Sequence, residues 1–478
     1  MGWKFGSSIA TQFTHAIVSI VLARMILPES YGVMAIVLIV IAFCGVFVDF
    51  GLGSALVQKK NPKQEDYSSV FYINIIISLI VYIGLFFLAP IIAKFYEKGY
   101  ANLTEYIRII GVTLILLGIN SVQNAYVAKN LLFKKAFAIS FLAGAVSGIT
   151  GIVLAYTLPQ GERIWALIVQ NVLSSVLVTA GMWFYIGWRP KLIFSKEAIK
   201  PLFDYGWKIL LKGVLNLLST DIRKLVIGKV YAPGDLAFYD RGRQYPLTIA
   251  KTVDNSISTV LFPVLSNAQD NVDTLKKRVR RTLQVCTYLT FPMLAGFAIV
   301  SQKFVVVLLT EAWIPAVPFL QIFCIAFLFR PLTGIQFRSL LALGRSDITL
   351  KCEVIRGIAD AAVLAVTVWF GVLWIAVGVL FTVFIEFLLY YLPNKKLINY
   401  TLSELFYDVK FTLILTLIMS VVVLAVGLLP VEPWILLILQ VVAGIIIYFT
   451  LSYLTKNRNF LYLSEIIKHT FSKIDMPK

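Results

Sequence analysis

Arg241, Gln244, Thr248, Lys251, Asn255 and Ser258 follow one another at intervals of three or four within residues 232–269. On a helix that spacing gathers them on one face. Leu247, Ile249, Val253, Ile257, Val260 and Leu261 cover much of the remainder. The segment before it carries a matching stripe of Lys208, Lys212, Asn216, Ser219 and Arg223. Guanidinium and ammonium groups held away from bulk water can replace the hydration shell of a compact anion such as a phosphate. An ionisable group near mid-bilayer costs about 2.5–3.5 kcal/mol on the insertion scale, so these stripes should face a wet cavity or a partner rather than lipid. The competing reading is structural pairing, of Asp221 with Arg223, Asp240 with Arg241 and Lys251 with Asp254. Pairing does not remove the cavity, because Lys208, Lys212, Arg223 and Arg243 outnumber the nearby acids.

Other apolar stretches carry polar faces too: Ser8, Gln12, His15 and Ser19; Asn120 and Gln123; Arg330, Gly334 and Arg338; Glu353, Arg356 and Asp360. The cationic cavity is therefore assigned to Lys212, Arg223, Arg241, Lys251, Arg330 and Arg338. Asp49, Asp254, Asp360 and Glu386, acids inside apolar runs, are the candidates for coupling an ion or a proton. Hydrolytic and metal chemistry find no support. The triplet Asp49-Phe50-Gly51 stands without a glycine-rich loop, no phosphate-binding loop motif occurs, and no Ser/His/Asp constellation is legible. Cys44, Cys286, Cys324 and Cys352 form no close pair, and His15 and His469 are far apart. Neither an enzyme, a metal nor a cofactor is expected, and His15 reads more readily as a hydrogen-bonded structural residue than as a proton carrier.

The elements that must position these residues follow from composition. Of 478 residues, 59% are hydrophobic and 14% charged, and mean hydropathy is +0.84. A soluble domain has about 45–50% apolar and about 25% charged residues, so the chain is polytopic membrane protein. The net charge of +18 lies mainly in short loops, where the positive-inside rule accounts for it without nucleic acid. Fourteen spans are predicted, near 5–27, 32–58, 68–90, 105–127, 136–157, 163–186, 205–229, 235–265, 279–301, 315–343, 350–371, 374–392, 410–429 and 432–454. Basic clusters such as Lys59, Lys60 and Lys63, or Lys276, Lys277 and Arg278, fall on the side of the termini, which places both termini in the cytoplasm. The first run looks like a retained span rather than a signal peptide. The last two spans carry almost no charge and are expected to be peripheral. Ser140, Gly144, Ser147 and Gly151 form a small-residue stripe suited to close helix packing.

Residues 188–200, basic and followed by Pro201, read as a linker between two halves that resemble each other. LPESYGV after the first span parallels APGDLAF after the seventh, aligning Pro28 with Pro233, and residues 106–129 parallel 319–342, aligning Gln123 with Gln336. Six spans per half insert both halves the same way round. The domains drawn are a lobe at 1–200, a lobe at 201–395, and helices 13 and 14 with a tail at 396–478.

Several stretches carry a family resemblance: LARMILPESYGVMAIV (22–37), VDFGLGSALVQKK (48–60), IGKVYAPGDLAFYDRG (227–242), LFPVLSNAQD (261–270), EAWIPAVPFLQI (311–322) and LALGRSD (341–347). They resemble the polysaccharide transporters, the Wzx-like O-antigen and exopolysaccharide flippases of the multidrug/oligosaccharidyl-lipid/polysaccharide exporter superfamily. Ala237 departs from the family's usual glycine, and the family carries a basic extension ahead of the position of Trp3. The resemblance implies an all-α integral membrane fold: two six-helix lobes around a central cavity, plus two C-terminal helices. It implies export of an undecaprenyl-pyrophosphate-linked oligosaccharide across the bacterial plasma membrane by alternating access, with membrane lipids, a polysaccharide polymerase and chain-length machinery as partners. A multidrug exporter, a lipid II flippase and a membrane polysaccharide polymerase or glycosyltransferase are the alternatives. The cationic stripes disfavour the first, the motif stretches the second, and the lack of a large outer loop the third.

Overall fold

The structure, a computed structural model, describes residues 14, 16–96, 99–266 and 271–465; side chains 198 and 255–266 lie outside the description. Ser8, Gln12 and His15, and the side chains of Asn255, Ile257, Ser258, Val260 and Leu261, are therefore outside it. Among the described residues the chain is all helix and connection, with no strand.

The helices are α1 (Ala16–Met25), α2 (Pro28–Asp49), α3 (Leu52–Gln58), α4 (Gln64–Phe95), α5 (Leu103–Lys129), α6 (Phe133–Thr157), α7 (Ile164–Tyr185) and α8 (Lys196–Val230). There follow α9 (Pro233–Ser266), α10 (Val272–Phe304), α11 (Val317–Leu328), α12 (Arg330–Ala342), α13 (Ser346–Thr367), α14 (Val372–Leu397), α15 (Leu402–Val426) and α16 (Pro433–Leu454). Where their residues are described, the predicted spans fall on helix, but two of them are each two helices: 315–343 divides at Phe329, between α11 and α12, and 32–58 divides after Asp49. Phe50 and Gly51 take left-handed backbone (φ 44° and 71°) and break it. Gly51 has a second reason to be glycine: a Cβ there would come within 2.7 Å of the Gly206 carbonyl oxygen on α8.

Ten of the helical segments are long and apolar enough to cross a membrane by length and composition. The long helices that fall short are α8, α9 and α13. They fall short because a charged or amide side chain recurs every turn on one face, which dilutes the apolar character that lipid contact requires.

The chain divides into two compact units, 1–237 and 238–478. In the first, α4 lies along α5, α6 along α7, and α8 packs on α2, α3 and α4. Its core gathers Leu52, Leu56, Tyr67, Phe71, Val122 and Trp188. In the second, α10 is the hub, touching α11, α12, α15 and α16. The helices α15 and α16 are thus built into that unit rather than peripheral to it. Arg280 on α10 donates through Nε and Nη2 to Asp408 on α15, both at 2.8 Å. Tyr400 and Gln284 donate to the same carboxylate at 2.9 and 2.8 Å. Tyr448 on α16 donates to the Tyr288 carbonyl of α10 at 2.8 Å. The charge that ties α15 in place sits in its first two turns, outside the uncharged stretch that suggested a peripheral helix.

Candidate functional site

In the first unit the cationic stripe is displayed on α8. Gly206 and Gly213 bring α8 against α2: Cβ atoms there would lie 2.7 Å from the Phe50 carbonyl oxygen and 2.8 Å from a Val46 methyl. With those positions turned inward, Lys208 and Lys212 are exposed and Arg223 is half-buried. Asp221, a possible partner of Arg223, instead pairs with Lys224 one turn on, at 3.1 Å.

In the second unit Gly242 seats α9 against α11, where a Cβ would lie 2.5 Å from the Phe319 Cβ. Next to it, half-buried Arg241 donates to the Gln244 side chain at 3.1 Å and lies 5.9 Å from the centre of the buried Trp313 ring. Lys251 is exposed on the same helix. Asp254 is reached from another helix: Arg338 of α12 donates through Nη2 to both of its oxygens, each at 2.9 Å. Arg330 opens α12, half-buried, with its Nε buried and without a hydrogen-bond partner.

A second group forms where α13 meets α14. Tyr390 donates to Glu353 Oε1 at 2.6 Å, and Arg356 donates to Glu353 Oε2 from Nε and Nη2 at 3.1 and 2.8 Å. Glu386 lies in electrostatic reach of Arg356, Glu353, Arg330 and Asp360, and Asp360 is buried. Glu353 and Arg356 were visible as a polar face at helical spacing; Tyr390 gave no signal, because a tyrosine in an apolar run reads as core.

The four candidate acids thus occupy three settings. Asp254 is held by Arg338, and Asp360 and Glu386 belong to the α13–α14 group. Asp49, the last residue of α2, accepts from the Ser121 hydroxyl of α5 at 3.0 Å. Asp49 and Asp254 stand at the same offset as Pro28 and Pro233, so the repeat aligns the two acids. Gln123 and Gln336, its other aligned pair, are both fully buried. At the LALGRSD stretch, Arg345 hydrogen-bonds Asp347 at 3.0 and 2.9 Å and holds its carboxyl down at about 2.

Residues 21–318, more than half of the chain, match the family model described as polysaccharide biosynthesis protein. The chain belongs to that family. Its relatives include the lipopolysaccharide biosynthesis protein WzxC of Escherichia coli (strain K12), 24% identical over 342 residues, spanning 70% of this chain and 68% of WzxC. The succinoglycan biosynthesis transport protein ExoT of Rhizobium meliloti (strain 1021) is 23% identical over 326 residues, 68% of this chain and 65% of ExoT. In fold, this family member matches the structure of lipid II flippase MurJ in an inward closed conformation. The TM-score is 0.76 at 16% identity, over 94% of this chain and 98% of that one. This member of the polysaccharide biosynthesis family is thus a multi-pass membrane protein, helical throughout its described elements, with the fold of that flippase.

Proposed function

We propose that the protein flips undecaprenyl-pyrophosphate-linked oligosaccharide repeat units across the bacterial plasma membrane by alternating access, for O-antigen, capsule, exopolysaccharide or teichuronic acid synthesis. It is a transporter and not an enzyme. The observation that carries the reading is that α8 and α9, too polar to pass as apolar spans, hold the cationic stripes. A chain of the polysaccharide biosynthesis family that keeps such costly groups in its helices has an anionic cargo to offset them.

In this reading Lys212, Arg223, Arg241, Lys251, Arg330 and Arg338 take turns on the pyrophosphate, and the lobes 1–200 and 201–395 rock about it. Asp49, Asp254, Asp360 and Glu386 are the coupling candidates. All fourteen spans cross the bilayer and both termini are cytoplasmic. A polysaccharide polymerase and chain-length machinery receive the cargo.

The test uses proteoliposomes holding the purified chain and a fluorescent undecaprenyl-pyrophosphate oligosaccharide. The fraction of lipid-linked sugar reachable by an external lectin should rise with time. It should stay flat for lipid II and for a cationic dye. Movement of lipid II or of the dye, with none of the oligosaccharide lipid, would transfer the chain to the corresponding alternative.

A further inference from the structure

The connection between α7 and α8 is built onto the first unit rather than left slack. Its backbone donates twice into α4: the Lys191 N–H to Ser68 Oγ at 3.0 Å and the Ser195 N–H to Ser69 Oγ at 2.9 Å. Trp188 Nε1 donates to Gln64 at 2.9 Å, and the Gln64 amide donates back to the Arg189 carbonyl at 2.6 Å. Ser68 and Ser69 are fully buried, so the seat is part of the packed unit.

What the seat holds up is unusual for a linker. Leu192 is 97% exposed and Phe194 53% exposed, and Phe203 on the first turns of α8 is 46% exposed. Beside Phe194 and Phe203 lies a cavity of about 290 Å³, walled also by Ile73 of α4 and by Ile199. Lys196 and Lys200, one helical turn apart and both exposed, line it, against a single acid, Asp204. Apolar side chains this exposed are stable where acyl chains cover them, and lysines beside them fit the phosphates of an anionic leaflet.

We infer that the groove between α4 and the start of α8 binds one anionic phospholipid, its phosphate on Lys196 and Lys200 and an acyl chain along Ile73, Phe194 and Phe203. The occupant is a bulk membrane lipid rather than the transported one, because the lysines are exposed at the helix start and stand before the polar stripe that begins at Lys208. The lipid would fix the connection between the halves to the membrane surface. This assignment is independent of which lipid the protein translocates.

Native mass spectrometry of the detergent-purified full chain, titrated with phosphatidylglycerol or phosphatidylcholine, tests it. The wild type should take up one phosphatidylglycerol in preference to phosphatidylcholine. Lys196→Gln with Lys200→Gln should weaken that first binding about thirtyfold, and Lys196→Arg with Lys200→Arg should retain it. Phe194→Ser with Phe203→Ser should weaken it as well, at an unchanged melting temperature. Lys134→Gln with Lys135→Gln, in the first turn of α6, should leave it intact. An equal loss in that control, or no preference for phosphatidylglycerol in the wild type, would overturn the site. Displacement of phosphatidylglycerol by equimolar undecaprenyl pyrophosphate would overturn the choice of a bulk lipid and give the groove to the cargo.

Discussion

Asp254 and Arg338 show how one pairing changes the meaning of a charged residue. Their side chains are 17% and 21% exposed, so solvent screens the pair, and Arg338→Gln should cost about 1–2 kcal/mol rather than the 3–5 of a fully buried pair. Adding Asp254→Asn should return most of that stability, read as the melting temperature of the purified protein. Transport separates the two roles of Arg338. If it serves only Asp254, the double variant flips lipid-linked oligosaccharide normally; if it also serves the pyrophosphate, flipping stays low although the protein is stable. Lys251 is exposed on its helix, so any ion pair it makes is screened by water, and Lys251→Gln should cost no more than about 1 kcal/mol of stability. A charge-assisted contact to phosphate is worth about 1.5–3 kcal/mol, so the same change should weaken productive binding of the cargo about 10- to 150-fold in a transport titration. Normal flipping by Lys251→Gln at matched protein level would remove this residue from the site.

Among the elements, two contacts decide how helices are held. The start of α2 meets the start of α9: a Cβ on Gly32 would overlap the Pro233 carbonyl, and one on Gly234 would lie 3.6 Å from the Glu29 carboxylate. These are the two stretches that the sequence aligns, Pro28 with Pro233, and both lie within residues 1–237. Gly32→Val should therefore force the helix starts apart and lower the melting temperature, whereas Gly84→Ala, which meets nothing within 4 Å, should not. A disulfide between Glu29→Cys and Gly234→Cys should form readily. Under alternating access it should arrest flipping until reduced, and continued full-rate flipping with the bridge closed would show that this contact does not open. The second contact is α10 with α15. The Asp408 side chain is fully buried and that of Arg280 29% exposed, so Asp408→Ala should cost about 2–4 kcal/mol by leaving the half-buried guanidinium with only Glu404, at 3.2 Å, and the Tyr400 and Gln284 donors without their acceptor. The loss should appear as a lower melting temperature.

For the whole molecule, the open quantity is its orientation across the bilayer. The basic residues favour cytoplasmic termini, and with fourteen crossings every connection then has an assigned side. Single cysteines at Gln160 and Arg278, in a chain with Cys44, Cys286, Cys324 and Cys352 replaced, should react with a membrane-impermeant maleimide from outside and from inside respectively. The reverse pattern would invert the molecule and move the phospholipid groove to the other leaflet. The contact-based units meet at Ala237 and Phe238, whereas the sequence draws its lobes at 200 and 201. The difference is α8, which packs on α2, α3 and α4.

What the sequence determined by itself is what depends on local, additive transfer energies. The membrane class, the position of most helical segments among the described residues, the cationic stripes on α8 and α9 and the acids of α13 could be read because each residue's cost in lipid is set by its own chemistry and its place in a 3.6-residue period. The resemblance between the halves was proposed on the same kind of local pattern, from Pro28 opposite Pro233 and Gln123 opposite Gln336. Which group each charge meets was decided only in three dimensions. Asp254 bonds Arg338, 84 residues away. Asp408 bonds Arg280, 128 residues away, drawing α15 into the second unit. Such choices depend on how each helix is rotated and how closely its neighbours approach. Those quantities are set by side-chain packing and by small residues at crossing points such as Gly206, Gly213 and Gly242. The break at Phe50 and Gly51 belongs to the same class: a continuous apolar run concealed it, and the close passage of α8 requires it.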